Sequence, residues 1–189
     1  VMTSWYHGTC MNDRKRLILI LGPPKVGKTT VVQKLMALSK RRFGGFFTLA
    51  NNQNKQRDFQ LVTLSGREKG VPDPSHKLIK ACALENVTTF NVDELENRGV
   101  SALGTAVSSS EVVVVDELGE LQLRSNSFRS LFEELLSSPA IIVATGANSG
   151  NPFIEELKSR EDSQVFEITA ENRCVLPEKI NQHLFSLLT

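Results

Sequence analysis

The chain has 189 residues, 40% hydrophobic and 23% charged, a balance that suits one globular domain with a substantial core and argues against a disordered or membrane-embedded chain. A formal net charge of +1 provides no broad positive field for nucleic acid, and no apolar run reaches the length of a membrane span. Cys10, Cys82 and Cys174 form an odd set without short paired spacings, which argues for free thiols in a reducing compartment, cytoplasm or nucleus, rather than disulfides or a zinc site.

Residues 1–16 show no periodicity and are expected to form an extension to a single domain spanning 17–189. Val1 ahead of Met2 reads as a remnant or an internal start, with Met11 as another natural beginning. The run "LILIL" predicts a buried strand. After a glycine-containing loop, "TTVVQKLMALSK" sets Val31, Leu35 and Leu38 on one helical face, and the helix should stop near "FGG", where glycines permit a turn. Lys40, Arg41 and Arg42 fall where cations complement the helix dipole. "GFFTLANNQNKQRDFQLVTLSG" predicts a β-hairpin, inserted after the first helix rather than completing a βαβ unit. Residues 67–83, with "VPDPSHK", read as a surface loop with one helical turn.

A short strand "FNV" should lead into a helix over "DELENRGVSALGTAV", with Asp93 as N-cap and Leu95, Val100 and Leu103 inward. "EVVVVDELGEL" contains four valines without alternation, the mark of a strand covered on both faces, and it ends in two carboxylates. A helix "SFRSLFEELLSS", a strand "AIIVATG", a helix "NPFIEELKSRE", a strand "QVFEIT" and a terminal helix beginning near "ENRC" complete the order. Strands alternating with helices predict an α/β fold, mainly a parallel sheet with helices on both faces. His7, His76 and His183 stand apart from one another and from acidic clusters, so none is expected to be a ligand or base.

The chemistry concentrates in Gly22, Pro23, Pro24, Lys25, Val26, Gly27, Lys28 and Thr29, which fit G-x-x-x-x-G-K-[ST] between a strand and a helix. In such a loop the backbone curls so that successive N–H groups point inward, and the helix N-terminus adds partial positive charge, so phosphate oxygens bind there. Thr30 belongs to the same cradle. Lys28 is expected on the β- and γ-phosphates of a nucleoside triphosphate, Thr29 on Mg2+. Asp116, ending the valine strand, is the expected second metal partner, and Glu117 the group that orients or deprotonates the attacking water. Glu111, at the other end of that strand, lies on the wrong side for this work. Thr145 is either a hydrogen-bond donor to the γ-phosphate or water, or a satisfied buried hydroxyl. Arg173 either stabilises charge on the transferred phosphoryl group or pairs with Glu171 or Glu167. Lys25 lies near the phosphates or points to water.

With "GPPKVGKTT", "GFFTLA", "VDELG" and "TAENR" in similar order and intervals, the chain resembles, from about Leu17 onward, the nucleoside-triphosphatase family that includes the cancer-related nucleoside-triphosphatase and thermophilic bacterial relatives. The resemblance implies a P-loop NTPase fold of the RecA/ASCE-like kind with an extra central strand. It also implies Mg2+ dependence and hydrolysis of ATP, GTP and other triphosphates with loose base preference. Lys25 stands where the family pattern has its middle glycine, Leu49-Ala50 where it has acids, and Glu120 where it favours lysine. Two other classes compete with hydrolysis: a nucleotide-dependent binding or switch module with slow turnover, and a small P-loop kinase. The kinase would need an acceptor pocket and usually an arginine-bearing lid, and no arginine-rich lid is evident. No protein partner is indicated.

Overall fold

A computed structural model describes residues 14–54, 56–68, 83–84, 87–88, 95–148 and 150–188. β1 (Leu17–Leu21) leads through the loop into α1 (Lys28–Leu38), then β2 (Arg42–Asn54) and β3 (Gln56–Glu68). Two short paired strands, β4 (Ala83–Leu84) and β5 (Val87–Thr88), follow. A π-helical turn, Leu95–Val100, runs into α2 (Ser101–Ser109) and then β6 (Val112–Leu118). The remainder is α3 (Glu120–Arg124), α4 (Asn126–Ser137), β7 (Ile141–Gly146), α5 (Pro152–Lys158), β8 (Ser163–Glu167) and α6 (Leu176–Leu188). The main sheet has the order β3-β2-β6-β7-β1-β8 and is parallel except for β3 against β2. β7 therefore separates the P-loop strand from the strand carrying Asp116, which is the expected extra central strand.

Both faces of the sheet are dry, which explains the strand sequences. In β1, Leu17, Leu19 and Leu21 pack with Phe128, Phe132, Ile154 and Leu157 of α4 and α5. Ile18 and Ile20 pack on the other side with Val31, Leu35, Ile180 and Leu184 of α1 and α6. The valines of β6 divide the same way, Val113 and Val115 to one side and Val112 and Val114 to the other. Each such side chain contributes about 1.5–3 kcal/mol by leaving water, so every position of these strands is held to apolar character. The helix starts are specified locally. Ser125 Oγ accepts from the Phe128 amide at 3.1 Å, and Asn151 Oδ1 from the Phe153 amide at 2.9 Å with Pro152 in the first turn. α3 has no counterpart in the sequence-based expectations; the Gly119 N–H donates to Gln122 Oε1 at 3.1 Å at its start.

Three expectations are corrected. β2 is not solely an inserted hairpin strand: Phe43–Phe46 pair in parallel with Val112–Val115 along one side, while β3 pairs antiparallel along the other side from Arg42 to Asn54, so the strand that completes the β1–α1–β2 βαβ unit is also the first strand of the hairpin. The physical reason is that "FGGFF" is apolar enough to be covered on both faces, and polar character starts only after Thr48. Gly44 and Gly45 do not form the turn that ends α1, which closes at Ser39 instead. A Cβ on Gly44 would lie 2.1 Å from Ser110 Oγ, and Gly45, at φ +94°, would place one 2.1 Å from the Val114 carbonyl oxygen, so both glycines allow close packing on β2. The basic run does not cap α1 either. The Arg42 amide and the Arg41 guanidinium donate to Glu111 at 3.0 and 3.2 Å, tying the start of β2 to that of β6.

The terminal helix begins at Leu176, after a tight turn over 169–173. The "FNV" strand, the Asp93 cap, the loop beyond Glu68, the Leu95 side chain, residues 1–13, His7, His76, Cys10 and Cys82 lie outside the described residues. Among the described residues no helix is long and apolar enough to cross a membrane.

Candidate active site

The loop between β1 and α1 is held from below. Gly22 N–H donates to the Gly146 carbonyl at 3.2 Å, and Ile168, whose N–H donates to the Leu21 carbonyl at 2.9 Å, presses against Gly22 so closely that a Cβ there would stand 2.6 Å from its side chain. Gly27 has φ +110° and Lys25 φ +65°. The conformation at Lys25 is the left-handed one that a glycine adopts freely, so the lysine at this position of the loop is held at a cost of about 1 kcal/mol. Pro23, Pro24, Lys25 and Thr30 are exposed. The first helical bond of α1 runs from Val31 N–H to the Gly27 carbonyl, which leaves the amides of Lys28, Thr29 and Thr30 without intrahelical acceptors and available to a ligand.

Lys28 is only 6% exposed, and its ammonium group donates to the Gly22 and Pro23 carbonyls at 3.0 and 3.1 Å and lies 3.3 Å from Glu117 Oε1. Glu117 is 43% exposed at its side chain, open enough to meet water. Asp116 is fully buried. Its Oδ2 accepts from Thr29 Oγ1 at 2.8 Å and from the Thr48 amide at 3.4 Å, and its Oδ1 accepts from Thr145 Oγ1. Thr48 Oγ1 also donates to the Asp116 carbonyl at 3.3 Å. Burial raises the Asp116 pKa above the usual carboxylate range; the Thr145 and Thr29 hydroxyls oppose that rise, and the neighbouring Glu117 charge adds to it.

The structure thus brings together Lys28, Thr29, Asp116, Glu117 and Thr145, while Glu111 remains at the far end of β6 on its two arginines. Of the two readings of Thr145, the buried hydroxyl bonded to Asp116 is the one observed. Thr48 was not singled out from the sequence. Its signal is a hydroxyl directly after the apolar run Phe43–Phe47, and it gains meaning only once β2 lies beside β6.

Arg173 sits on the opposite flank. "TAENR" is a clasp: Asn172 Oδ1 accepts from the Thr169 amide at 2.9 Å, Asn172 Nδ2 donates to the Glu167 carbonyl at 2.8 Å, and Arg173 N–H donates to the Thr169 carbonyl at 3.2 Å. The exposed Arg173 side chain reaches back across the loop, its Cδ 3.9 Å from where a Cβ on Gly27 would be. It forms no ion pair with Glu171 or Glu167; Glu167 Oε1 instead accepts from Asn148 Nδ2 at 3.3 Å. Asn172, like Thr48, escapes sequence reasoning, because its neighbours favour the start of a helix while its side chain holds a turn.

The donor set fits magnesium. A fully buried carboxylate with no cationic side chain within ion-pair distance among the described residues, bonded to the Thr29 hydroxyl, matches a hard cation bound through few protein oxygens.

The family model for NTPase matches residues 17–181. The chain is 34% identical over 169 residues to nucleoside-triphosphatase THEP1 of Thermotoga maritima, spanning 86% of this chain and 92% of that one. It is 31% identical over 175 residues to the human cancer-related nucleoside-triphosphatase, spanning 84% and 90%. Among solved structures it is similar to the crystal structure of THEP1 from the hyperthermophile Aquifex aeolicus, with TM-score 0.67, 30% identity and coverage of 87% of this chain and 96% of that one. It is also similar to the solution structure of a human cancer-related nucleoside triphosphatase, with TM-score 0.68, 31% identity and coverage of 92% and 98%. The loop, the buried carboxylate, the inserted central strand and these likenesses agree: the chain has the P-loop NTPase fold and belongs to the NTPase family.

Proposed function

We propose that the protein is a magnesium-dependent nucleoside-triphosphatase that converts ATP, GTP and other nucleoside triphosphates to the diphosphate and inorganic phosphate. The observation that carries this reading is the meeting of Lys28, Glu117, Thr29 and Asp116 at one end of the sheet, with the Lys28 ammonium 3.3 Å from Glu117 and the Thr29 hydroxyl 2.8 Å from Asp116. The loop amides and Lys28 bind the phosphates. Lys28 exchanges its carbonyl and Glu117 contacts for phosphate oxygens, which frees Glu117 to take a proton from water as that water attacks the γ-phosphorus. Thr29 and Asp116 hold the magnesium ion, and Thr145 and Thr48 fix the Asp116 carboxylate. A magnesium ion held by these residues would supply positive charge against that on the phosphate oxygens. The exposed free thiol of Cys174 suits a reducing compartment, the cytoplasm or nucleus.

Glu117→Gln tests the assignment. It keeps shape and hydrogen bonding but accepts no proton, so phosphate release should fall roughly 10²- to 10⁴-fold while a fluorescent ATP analogue still binds with magnesium. Hydrolysis at the wild-type rate would remove Glu117 as the base and favour a binding or kinase activity.

A further inference from the structure

The P-loop has one closed flank and one open flank. On the closed flank stand Thr145, near the end of β7, and Asp116 beyond it on β6, both fully buried, with Thr48 against Asp116. On the open flank, beyond β8, the segment after Ile168 presents Arg173, Cys174 and Val175 to solvent, with Val175 48% exposed. A triphosphate whose γ end meets Lys28 and Glu117 points that end at the closed flank. Its chain would then cross the free amides at the start of α1 and the nucleoside would leave on the open side, where the Arg173 side chain lies over Gly27.

We infer that Arg173 is the platform for the nucleobase, its planar guanidinium stacking on the base, rather than a group acting on the transferred phosphoryl. The inference rests on the nucleoside-triphosphatase reading for the direction of the triphosphate. Three observations support it. Arg173, which follows β8, is separated from Asp116 on β6 by the two intervening strands β7 and β1. It forms no ion pair with Glu171 or Glu167 that would hold its guanidinium away from a ligand. The Asn172 clasp fixes the backbone from which it projects, with bonds of 2.9 and 2.8 Å, so stacking begins from an ordered support. Every base has a π-face that a guanidinium can cover, so the platform accepts adenine and guanine alike and gives affinity with little base selection.

The test is a displacement titration with magnesium present, in which ATP, GTP and inorganic tripolyphosphate compete for a bound fluorescent nucleotide analogue, run beside steady-state phosphate release. Arg173 is exposed, so Arg173→Ala should fold normally. The variant should bind ATP and GTP each roughly 10-fold more weakly, bind tripolyphosphate as wild type does, and keep kcat within about twofold. Arg173→Tyr, which restores a flat stacking surface without the charge, should recover most of the lost affinity. An equal loss for tripolyphosphate would overturn the inference by making Arg173 a phosphate ligand. A fall in kcat of roughly 10²-fold or more with affinity unchanged would overturn it by making Arg173 act on the phosphoryl group. Unchanged affinity and rate would overturn it outright. The hydrolysis reading fails separately, if the wild-type protein binds these nucleotides and releases no phosphate.

Discussion

The two ends of β6 carry acids that the fold treats in opposite ways. Glu111, just before the strand, accepts from the Arg42 amide and the Arg41 guanidinium, and these bonds hold its carboxyl below the usual range. Asp116, five positions along at the other end of the strand, is buried among three threonines with no cationic side chain at ion-pair distance among the described residues, and burial raises its pKa. One acid is already paired and secures the strand. The other is desolvated and, among the described residues, bonded only to neutral donors, an arrangement that weakens the fold unless a cation arrives. Function on this strand is therefore marked by an electrostatic cost that the polypeptide does not settle by itself.

Replacing Asp116 is expected to break this contrast most visibly. Asp116→Asn removes the charge and keeps the shape, so phosphate release should drop at least roughly 10²-fold and require more magnesium. The melting temperature without metal should not fall, because a buried charge has been neutralised. Magnesium should raise the wild-type melting temperature and leave that of Asp116→Asn nearly unchanged, since only binding to the folded state stabilises it. A clear loss of metal-free stability would mean that the carboxylate is structural, as Glu111 is.

A smaller effect should follow at Thr145, whose hydroxyl orients the same carboxylate. Thr145→Val keeps the volume and removes the donor to Asp116 Oδ1. The magnesium concentration for half-maximal rate should rise roughly 10- to 100-fold, the usual loss when a partner of a metal ligand is removed. Equal magnesium curves for the two proteins would show that Thr29 and Thr48 suffice to hold the carboxylate.

What the sequence discloses follows the same division between local and distant determinants. The P-loop and the "VVVVDE" strand are legible because their chemistry is contiguous: aliphatic residues set the strand, and the residues that follow occupy the site. Thr48 is not legible in that way, because its role depends on β2 lying near β6 across more than sixty residues, which Gly45 allows by letting its backbone meet that of Val114 and Gly44 by making room for Ser110 and Ala106. The same glycines look like a turn signal in isolation. Asn172 looks like helix because its neighbours favour one, yet its side chain bonds the Thr169 amide and the Glu167 carbonyl and holds the chain in a turn until Leu176. Lys25 was seen to replace a glycine, but only the backbone shows that it occupies the left-handed conformation.

The smallest expected effect belongs to Glu111 and has a definite sign. Its folded pKa is depressed, chiefly by the Arg42 amide and also by the Arg41 guanidinium, while burial opposes the shift. A depressed carboxyl stabilises the fold when ionised, so the contribution is complete above its ordinary value of 4.5 and disappears as pH falls through the lower folded value. Glu111→Gln should therefore melt slightly below wild type at neutral pH, by no more than about 1 kcal/mol for a partly exposed pair, with phosphate release unaltered. The gap should close as the pH is lowered beneath 4.5, which thermal melts across that range would record. Added salt should also narrow the gap at neutral pH, since the Arg41 and Arg42 side chains around Glu111 are partly open to solvent. A gap that widened in acid would mean that the glutamate is stabilising in its protonated form, and the contrast between the two ends of β6 would be lost.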